Sequence, residues 1–145
     1  MFQLRMFVAL ALTAAASVAQ LERVAYRVAY KAEVRDRAFV QATFFGQGEP
    51  PSAVEIPRWS PGAYELKDFA KFLENVSAVD GAGREIAVAR VEDASRWTLA
   101  SKDATWPIVV SYERLDQAEG LMSNRPKARA ANYVSFLPTN TFVYA

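Results

Sequence analysis

The sequence predicts an all-β fold, an antiparallel β-sandwich preceded by a cleavable signal peptide, and two patterns lead to the prediction of the sandwich. Residues from Val24 to Arg35 alternate with a period of two, which suits a half-buried strand and does not suit a helix. Further short extended segments follow along the chain, with turn signals between them. Short strands at this spacing are typical of a sandwich or a barrel.

The individual strands follow from apolar runs and the turns that bound them. The alternating stretch is the first strand, and a hairpin turn at Asp36-Arg37 is expected to join it to a second run, Ala38 to Phe45. The later strands are predicted at Ser52 to Ile56, Phe72 to Val79, Glu85 to Val91, Ser95 to Ala100, Ile108 to Arg114, Tyr133 to Leu137 and Thr141 to Tyr144. Glycines in Asp80-Gly81-Ala82-Gly83 allow the positive φ angles of a tight hairpin, which the aspartate is expected to serve. A short irregular turn is expected at Tyr64 to Leu73.

Composition excludes several classes of enzyme chemistry from this chain. It has 145 residues, the size of one globular domain, and it contains neither histidine nor cysteine. Catalytic zinc sites take mostly histidine or cysteine ligands, and triad hydrolases need an imidazole or a thiolate. The spacing of the acidic residues favours no acid/base pair. We therefore expect no catalytic, cofactor-binding or metal-binding residue in this chain.

Net charge argues against nucleic acid as a partner. The chain has 17 basic and 16 acidic residues. Proteins that bind phosphate backbones carry a clear basic excess, which this sequence lacks.

The N-terminal segment has the pattern of a secretory signal peptide. Arg5 precedes an apolar run of 13 residues, Met6 to Val18, and small residues lead to a cleavage site between Ala19 and Gln20. Cleavage there would divide the chain into a leader and a mature domain, residues 1–19 and 20–145. The alternative is a membrane anchor, which needs about 20 apolar residues. We expect a secreted or periplasmic product with no membrane attachment after cleavage.

A turn rich in aromatic residues is the clearest candidate contact site. Ser60-Pro61-Gly62-Ala63 has the residues of a type II turn, with proline at the second position and glycine at the third. Trp59 and Tyr64 lie on the two sides of this turn. They could form an aromatic ledge presented to a ligand or another domain, or a hydrophobic plug that closes the end of the sandwich. The candidate contact residues are Trp59, Pro61, Gly62 and Tyr64.

One glycosylation triplet is present, at Asn75-Val76-Ser77. Its position inside a predicted strand argues against its use as an acceptor. We interpret the asparagine as a structural residue.

Several of these motifs occur in the order seen in a known family. They are Ile56 through Trp59-Ser60-Pro61-Gly62-Ala63-Tyr64, Asp68-Phe69-Ala70, Val79-Asp80 with Gly83, Arg96-Trp97, and Val110-Ser111-Tyr112. In this order they resemble the N-terminal domain of the M61 peptidases, the glycyl aminopeptidase family. The resemblance runs from about Val24 to Tyr144.

The resemblance implies a role as one domain of a larger enzyme. Members of the family are secreted or cytosolic zinc aminopeptidases in which an all-β domain precedes a thermolysin-like catalytic domain bearing H-E-x-x-H. No zinc ligand or general base of the family maps onto this chain, so zinc is expected in a catalytic domain beyond Ala145. The chain would be truncated before that domain, would pack on it and would help to shape its peptide cleft. Its partners would be the catalytic domain of the same polypeptide and, indirectly, the peptide substrate.

A second hypothesis belongs to a different functional class. The chain could be a complete secreted binding module that uses Trp59 and Tyr64 to hold a peptide or a glycan. The gene sequence after codon 145 distinguishes the two hypotheses, because an open frame favours the peptidase and a stop codon favours the module.

Overall fold

A computed structural model describes residues 20–31, 34–59, 66–92, 94–115 and 141–145. Within these ranges the chain forms eight β-strands and one turn of 3₁₀ helix at Phe69–Phe72. The strands are β1 Gln20–Lys31, β2 Val34–Gln47, β3 Ala53–Glu55, β4 Leu73–Val79, β5 Glu85–Ile86, β6 Val88–Arg90, β7 Arg96–Leu99 and β8 Ile108–Leu115.

The strands form two antiparallel sheets around one core. The larger sheet has the order β1-β2-β8-β4-β5, and the smaller has the order β3-β7-β6. Buried side chains from both sheets, such as Phe44 of β2 and Trp97 of β7, belong to a single hydrophobic cluster. The prediction of an all-β antiparallel fold is confirmed, whereas the predicted signal peptide lies outside the described residues.

The first hairpin carries the alternation that the sequence predicts. Val24 and Val28 of β1 pair with Phe44 and Val40 of β2, and all four side chains belong to the core or pack against it. The intervening side chains of both strands lie on the outer face of the larger sheet. This inward and outward alternation is what a period of two requires.

The predicted position of the first turn is wrong. Lys31 pairs with Val34, so the hairpin closes before Asp36-Arg37, and both of these residues lie in β2. The Arg37 side chain lies on the outer face, where it forms an ion pair with Glu113 of β8. Two adjacent charged residues near the start of a strand therefore resemble a turn in the sequence.

The segment Glu85 to Val91, predicted as one strand, serves both sheets. β5 pairs with β4 in the larger sheet, and β6 pairs with β7 in the smaller sheet. Ile86 is buried and Val88 packs against the same core, so the chain crosses between the sheets at Ala87. The prediction of a single strand is corrected because apolar alternation does not reveal to which sheet each residue belongs.

The C-terminal segment is held by side chains more than by strand pairing. Tyr144 exchanges two backbone hydrogen bonds of 2.7 Å with Glu55, the last residue of β3, and this single bridge replaces the strand predicted at Thr141 to Tyr144. Thr141 and Val143 are buried. The strand predicted at Tyr133 to Leu137 lies outside the described residues.

The irregular turn predicted at Tyr64 to Leu73 contains the 3₁₀ turn in its described part, with Phe69 and Ala70 buried. Within the described ranges, no helix has the length and hydrophobicity needed to cross a bilayer.

Candidate functional site

The loop after β3 presents two large apolar side chains to solvent. Trp59 is 53% exposed and Leu66 is 65% exposed. The backbone N–H of Lys67 donates a hydrogen bond of 2.7 Å to the carbonyl oxygen of Arg58, which joins the two ends of the loop. The other candidate contact residues, Pro61, Gly62 and Tyr64, lie outside the described residues.

A second candidate site lies on the outer face of the larger sheet. It is an open depression of about 410 Å³ that crosses strands β1, β2, β8 and β4. Its polar and aromatic lining includes Arg27, Phe39, Gln41, Asn75, Ser111 and Glu113. Sequence reasoning missed this site because its residues come from four strands and share no local motif.

A β-bulge in β4 shapes one wall of this depression. The register between β4 and β8 shifts between Glu74 and Ser77, so two residues, Asn75 and Val76, occupy the space opposite Tyr112. Asn75 has a φ of 52°, in the left-handed region that asparagine tolerates better than most residues. The bulge supports the structural interpretation of Asn75, although the asparagine side chain is exposed.

An arginine and three carboxylates form an ion-pair cluster beside the depression. The Arg37 guanidinium lies 2.5 Å from Glu113, 3.1 Å from Asp36 and 3.4 Å from Glu74. Hydrogen bonds from Arg37 and then from Asn75 hold the pKa of Glu113 below its ordinary value. The hydrogen bonds to Asp36 and Glu113 raise the pKa of Arg37 further above its already high value. Glu113 is thus a fixed anion, unsuited to act as a general acid near neutral pH.

Asp80 performs the structural role that the sequence predicts. Its buried carboxylate accepts backbone hydrogen bonds from Ala82 at 3.0 Å, Arg84 at 2.9 Å and Thr105 at 3.1 Å. Arg84 Nη2 adds an ion pair of 2.7 Å. Burial alone would raise the pKa of Asp80, but the hydrogen bonds from Arg84 and Thr105 outweigh it and hold this pKa well below its ordinary value. Ala82 and Arg84 lie in the β4–β5 hairpin, and Thr105 lies in the loop between β7 and β8. The carboxylate therefore stabilises the hairpin and joins it to that loop.

Zinc does not fit the donor set of this chain. The full sequence offers neither imidazole nor thiolate, which zinc sites in proteins mostly use. Among the residues that the structure describes, no three or more acidic side chains cluster as metal ligands.

A comparison with known protein families identifies the family of this chain. A model described as the peptidase M61 N-terminal domain matches residues 25–145. The chain belongs to this family. The match of the M61 N-terminal domain begins in β1 and includes the loop of Trp59 and all later strands. It confirms the predicted family.

A solved structure shows the same fold as this M61 N-terminal domain. It is the crystal structure of an aminopeptidase N family protein from Idiomarina loihiensis, with a TM-score of 0.58 and 22% sequence identity. The similarity covers 70% of this chain and 16% of that chain, so the present chain corresponds to a small part of the larger protein. A search among curated proteins found no match.

Proposed function

We propose that this chain is the non-catalytic N-terminal β-domain of a secreted M61-type zinc aminopeptidase, where it packs on the catalytic domain and helps to shape the peptide cleft. The family match over residues 25–145 is the observation that carries the proposal. Because this chain has neither histidine nor cysteine, the proposal places the zinc ligands in another part of the polypeptide, together with the glutamate of H-E-x-x-H as general base.

The loop of Trp59 and Leu66 is the proposed contact with the catalytic domain. Two large apolar side chains, each more than half exposed, stand at the two ends of one loop. Exposed tryptophan is enriched among the residues that carry binding energy at protein interfaces. The Lys67–Arg58 hydrogen bond holds the base of the loop, which limits the entropy lost on docking. Pro61, Gly62 and Tyr64, the other candidate contact residues from the sequence, are included in the proposal.

Export to the periplasm or the medium is the proposed location. The leader pattern of residues 1–19 supports it. Cleavage after Ala19 would keep residues Gln20–Lys31 of β1 in the mature domain.

The gene and the intact enzyme test the main proposal. The frame after codon 145 should encode H-E-x-x-H on a helix. In the intact enzyme, Trp59→Ala should lower kcat/KM about tenfold or more, as expected for a central interface residue worth roughly 2 kcal/mol. Leu21→Ala is the control, because Leu21 is another exposed apolar residue but lies in β1.

Two results would contradict the main proposal. The first is a stop codon after Ala145 in a verified gene sequence. The second is equal activity of Trp59→Ala and Leu21→Ala, which would show that the loop makes no special contact.

The depression on the outer face supports a second candidate function, a stand-alone module that binds a peptide or a glycan. It places an arginine, two side-chain amides and an aromatic ring around one open concavity. A few polar groups on a partly apolar concavity are typical of ligand sites. Peptides and oligosaccharides can be screened by NMR titration, with Gln41→Ala and Trp59→Ala as the two informative variants. Loss of binding in Gln41→Ala alone would locate the ligand in the depression, and loss in Trp59→Ala alone would locate it on the loop.

A further inference from the structure

Among the strands that the structure describes, β1 forms one long open edge of the larger sheet. β1 has 12 residues, and within the described ranges its only strand partner is β2. The opposite edge of the sheet is β5, which has two residues. A long edge strand presents unpaired backbone N–H and C=O groups that can pair with a further strand.

The regular part of β1 is limited by two irregularities. The register with β2 shifts between Leu21 and Arg23 and again between Ala29 and Lys31. Bulges bend a strand and end regular pairing, so a further strand can add only between them. This leaves the seven residues from Arg23 to Ala29, and their centre is Tyr26.

Charge excludes the registers centred on the two neighbours of Tyr26. On the outer face of this stretch, Arg23 and Arg27 alternate with Ala25 and Ala29. An antiparallel second copy of β1 centred on Tyr26 places each arginine opposite an alanine. A register centred on Ala25 would place Arg23 opposite Arg27, and one centred on Arg27 would place that residue opposite its own copy. Like charges directly opposite each other destabilise a strand pair.

The inner face of the same register is apolar. Val24 would lie opposite Val28 of the second copy, and Tyr26 would lie opposite its own copy. Tyr26 is 37% exposed, although its hydroxyl donates to the Val143 carbonyl oxygen at 2.5 Å. Pairing would remove apolar surface of these three side chains from water.

We propose that two copies of this chain associate through their β1 edges, antiparallel, about a two-fold axis at Tyr26. The two larger sheets become one continuous sheet of ten strands. Seven residues per strand make a small interface, and interfaces below about 1,200 Å² are typical of weak complexes. The association is therefore a concentration-dependent equilibrium of monomer and dimer.

Introducing a negative or a positive charge at residue 25 tests both the pairing of the β1 edges and its register. Residue 25 faces Arg27 of the second copy twice in each dimer, and Ala25 itself is exposed beside Thr43 on the outer face. The full chain is expressed and purified in whatever form the cell produces it. Sedimentation velocity then measures the dissociation constant of the dimer. Ala25→Glu should lower this constant and Ala25→Lys should raise it, each by about two- to thirtyfold, from two cross-strand pairs per dimer.

Ala89→Glu and Ala89→Lys are the matched controls, because Ala89 is exposed in β6 of the smaller sheet and the variants change the net charge equally. They should leave the dissociation constant within a factor of two. Three results would overturn the proposal: a monomer at every concentration, Ala25 variants that match the Ala89 variants, or a dimer that Ala25→Glu weakens. A dimer that Ala25→Glu weakens would indicate a β1 contact in a different register. A monomer at every concentration would show that two β1 edges do not pair.

Discussion

Asp80 is a buried carboxylate whose role is to hold a hairpin. Its low pKa follows from donors on Arg84 and Thr105 that favour the charged form over the neutral acid. An acid/base catalyst needs a pKa near the working pH, and Asp80 is far below it. The turn motif in the sequence was sufficient to predict this function, because the donors are local except for Thr105.

The charge of Asp80 should make stability depend on pH. The folded pKa lies below the unfolded value of about 4, so the stabilisation is present above pH 4 and is lost as the pH falls below it. We expect Asp80→Asn to be less stable than the wild type at pH 7 and to lose less stability between pH 5 and pH 2. Urea denaturation at several pH values measures both effects. Glu92→Gln, at an exposed turn position, should follow the wild type, and an unchanged Asp80→Asn at pH 7 would contradict the assigned role.

Truncation of Trp97 should lower the free energy of unfolding much more than truncation of Trp59. Trp97 is 3% exposed in the core, so Trp97→Ala should cost about 3–5 kcal/mol of unfolding free energy. Trp59 is 53% exposed, and Trp59→Ala should cost less than about 1 kcal/mol. Thermal and chemical denaturation of the two variants check this. A cost of 3 kcal/mol or more for Trp59→Ala would favour the plug over the ledge.

The residues of the outer-face depression had no signal in the sequence. Asn75 looks like an ordinary position of an alternating strand, because a bulge inserts one residue without changing composition. Arg27 and Gln41 meet Ser111 only because β8 pairs beside β2. Such a site depends on strand order, which a single sequence does not state.

At the scale of elements, local strand patterns were predictable and sheet membership was not. The alternation of β1 follows directly from the apolar period, and Gly83 has the positive φ of 77° that its hairpin requires. The assignment of β5 and β6 to different sheets depends on contacts with β4 and β7 that are not local. The C-terminal segment was predicted as a strand because its apolar residues are the same whether backbone pairing or side-chain packing holds them.

The hydroxyl of Tyr112 should hold the C-terminal segment in place. It donates to the Thr141 carbonyl oxygen at 2.7 Å and accepts from the Val143 N–H at 3.3 Å, all within the core. Tyr112→Phe leaves two buried backbone groups without this partner and should cost about 1–3 kcal/mol. It should also speed hydrogen exchange at Val143.

Tyr144→Phe is the control for this prediction. It removes a hydroxyl from the same segment, but the Tyr144 side chain is exposed and bonds to Glu55 at the surface. Its cost should be below about 0.5 kcal/mol. Equal costs for the two variants would show that the buried hydroxyl does not fasten the segment.

At the scale of the whole molecule, the purified chain should have no peptidase activity of its own. The absence of histidine and cysteine leaves only carboxylates and water as ligands, which suit Ca²⁺ or Mg²⁺ better than zinc. Elemental analysis after dialysis should find less than about 0.1 zinc per chain, and aminoacyl substrates should not be hydrolysed. Stoichiometric zinc together with turnover that a chelator abolishes would contradict this expectation.

Export should produce a chain that begins at Gln20. Mass spectrometry of the exported protein is the appropriate measurement, because an N-terminal glutamine can cyclise and block stepwise sequencing. The expected mass corresponds to residues 20–145. A membrane-bound product that retains Met1 to Ala19 would instead identify the apolar run as an anchor.

The contact of Tyr26 with Val143 joins residues that are 117 positions apart in the chain. During synthesis, Tyr26 leaves the ribosome long before its acceptor has been made, and the Tyr112 hydroxyl also waits for both of its partners. Contacts this distant slow folding, since a long loop must close before they form. The domain therefore completes its core only after nearly all of its residues have been translated. Until then, the packing of the C-terminal segment against Tyr26 and Tyr112 is missing.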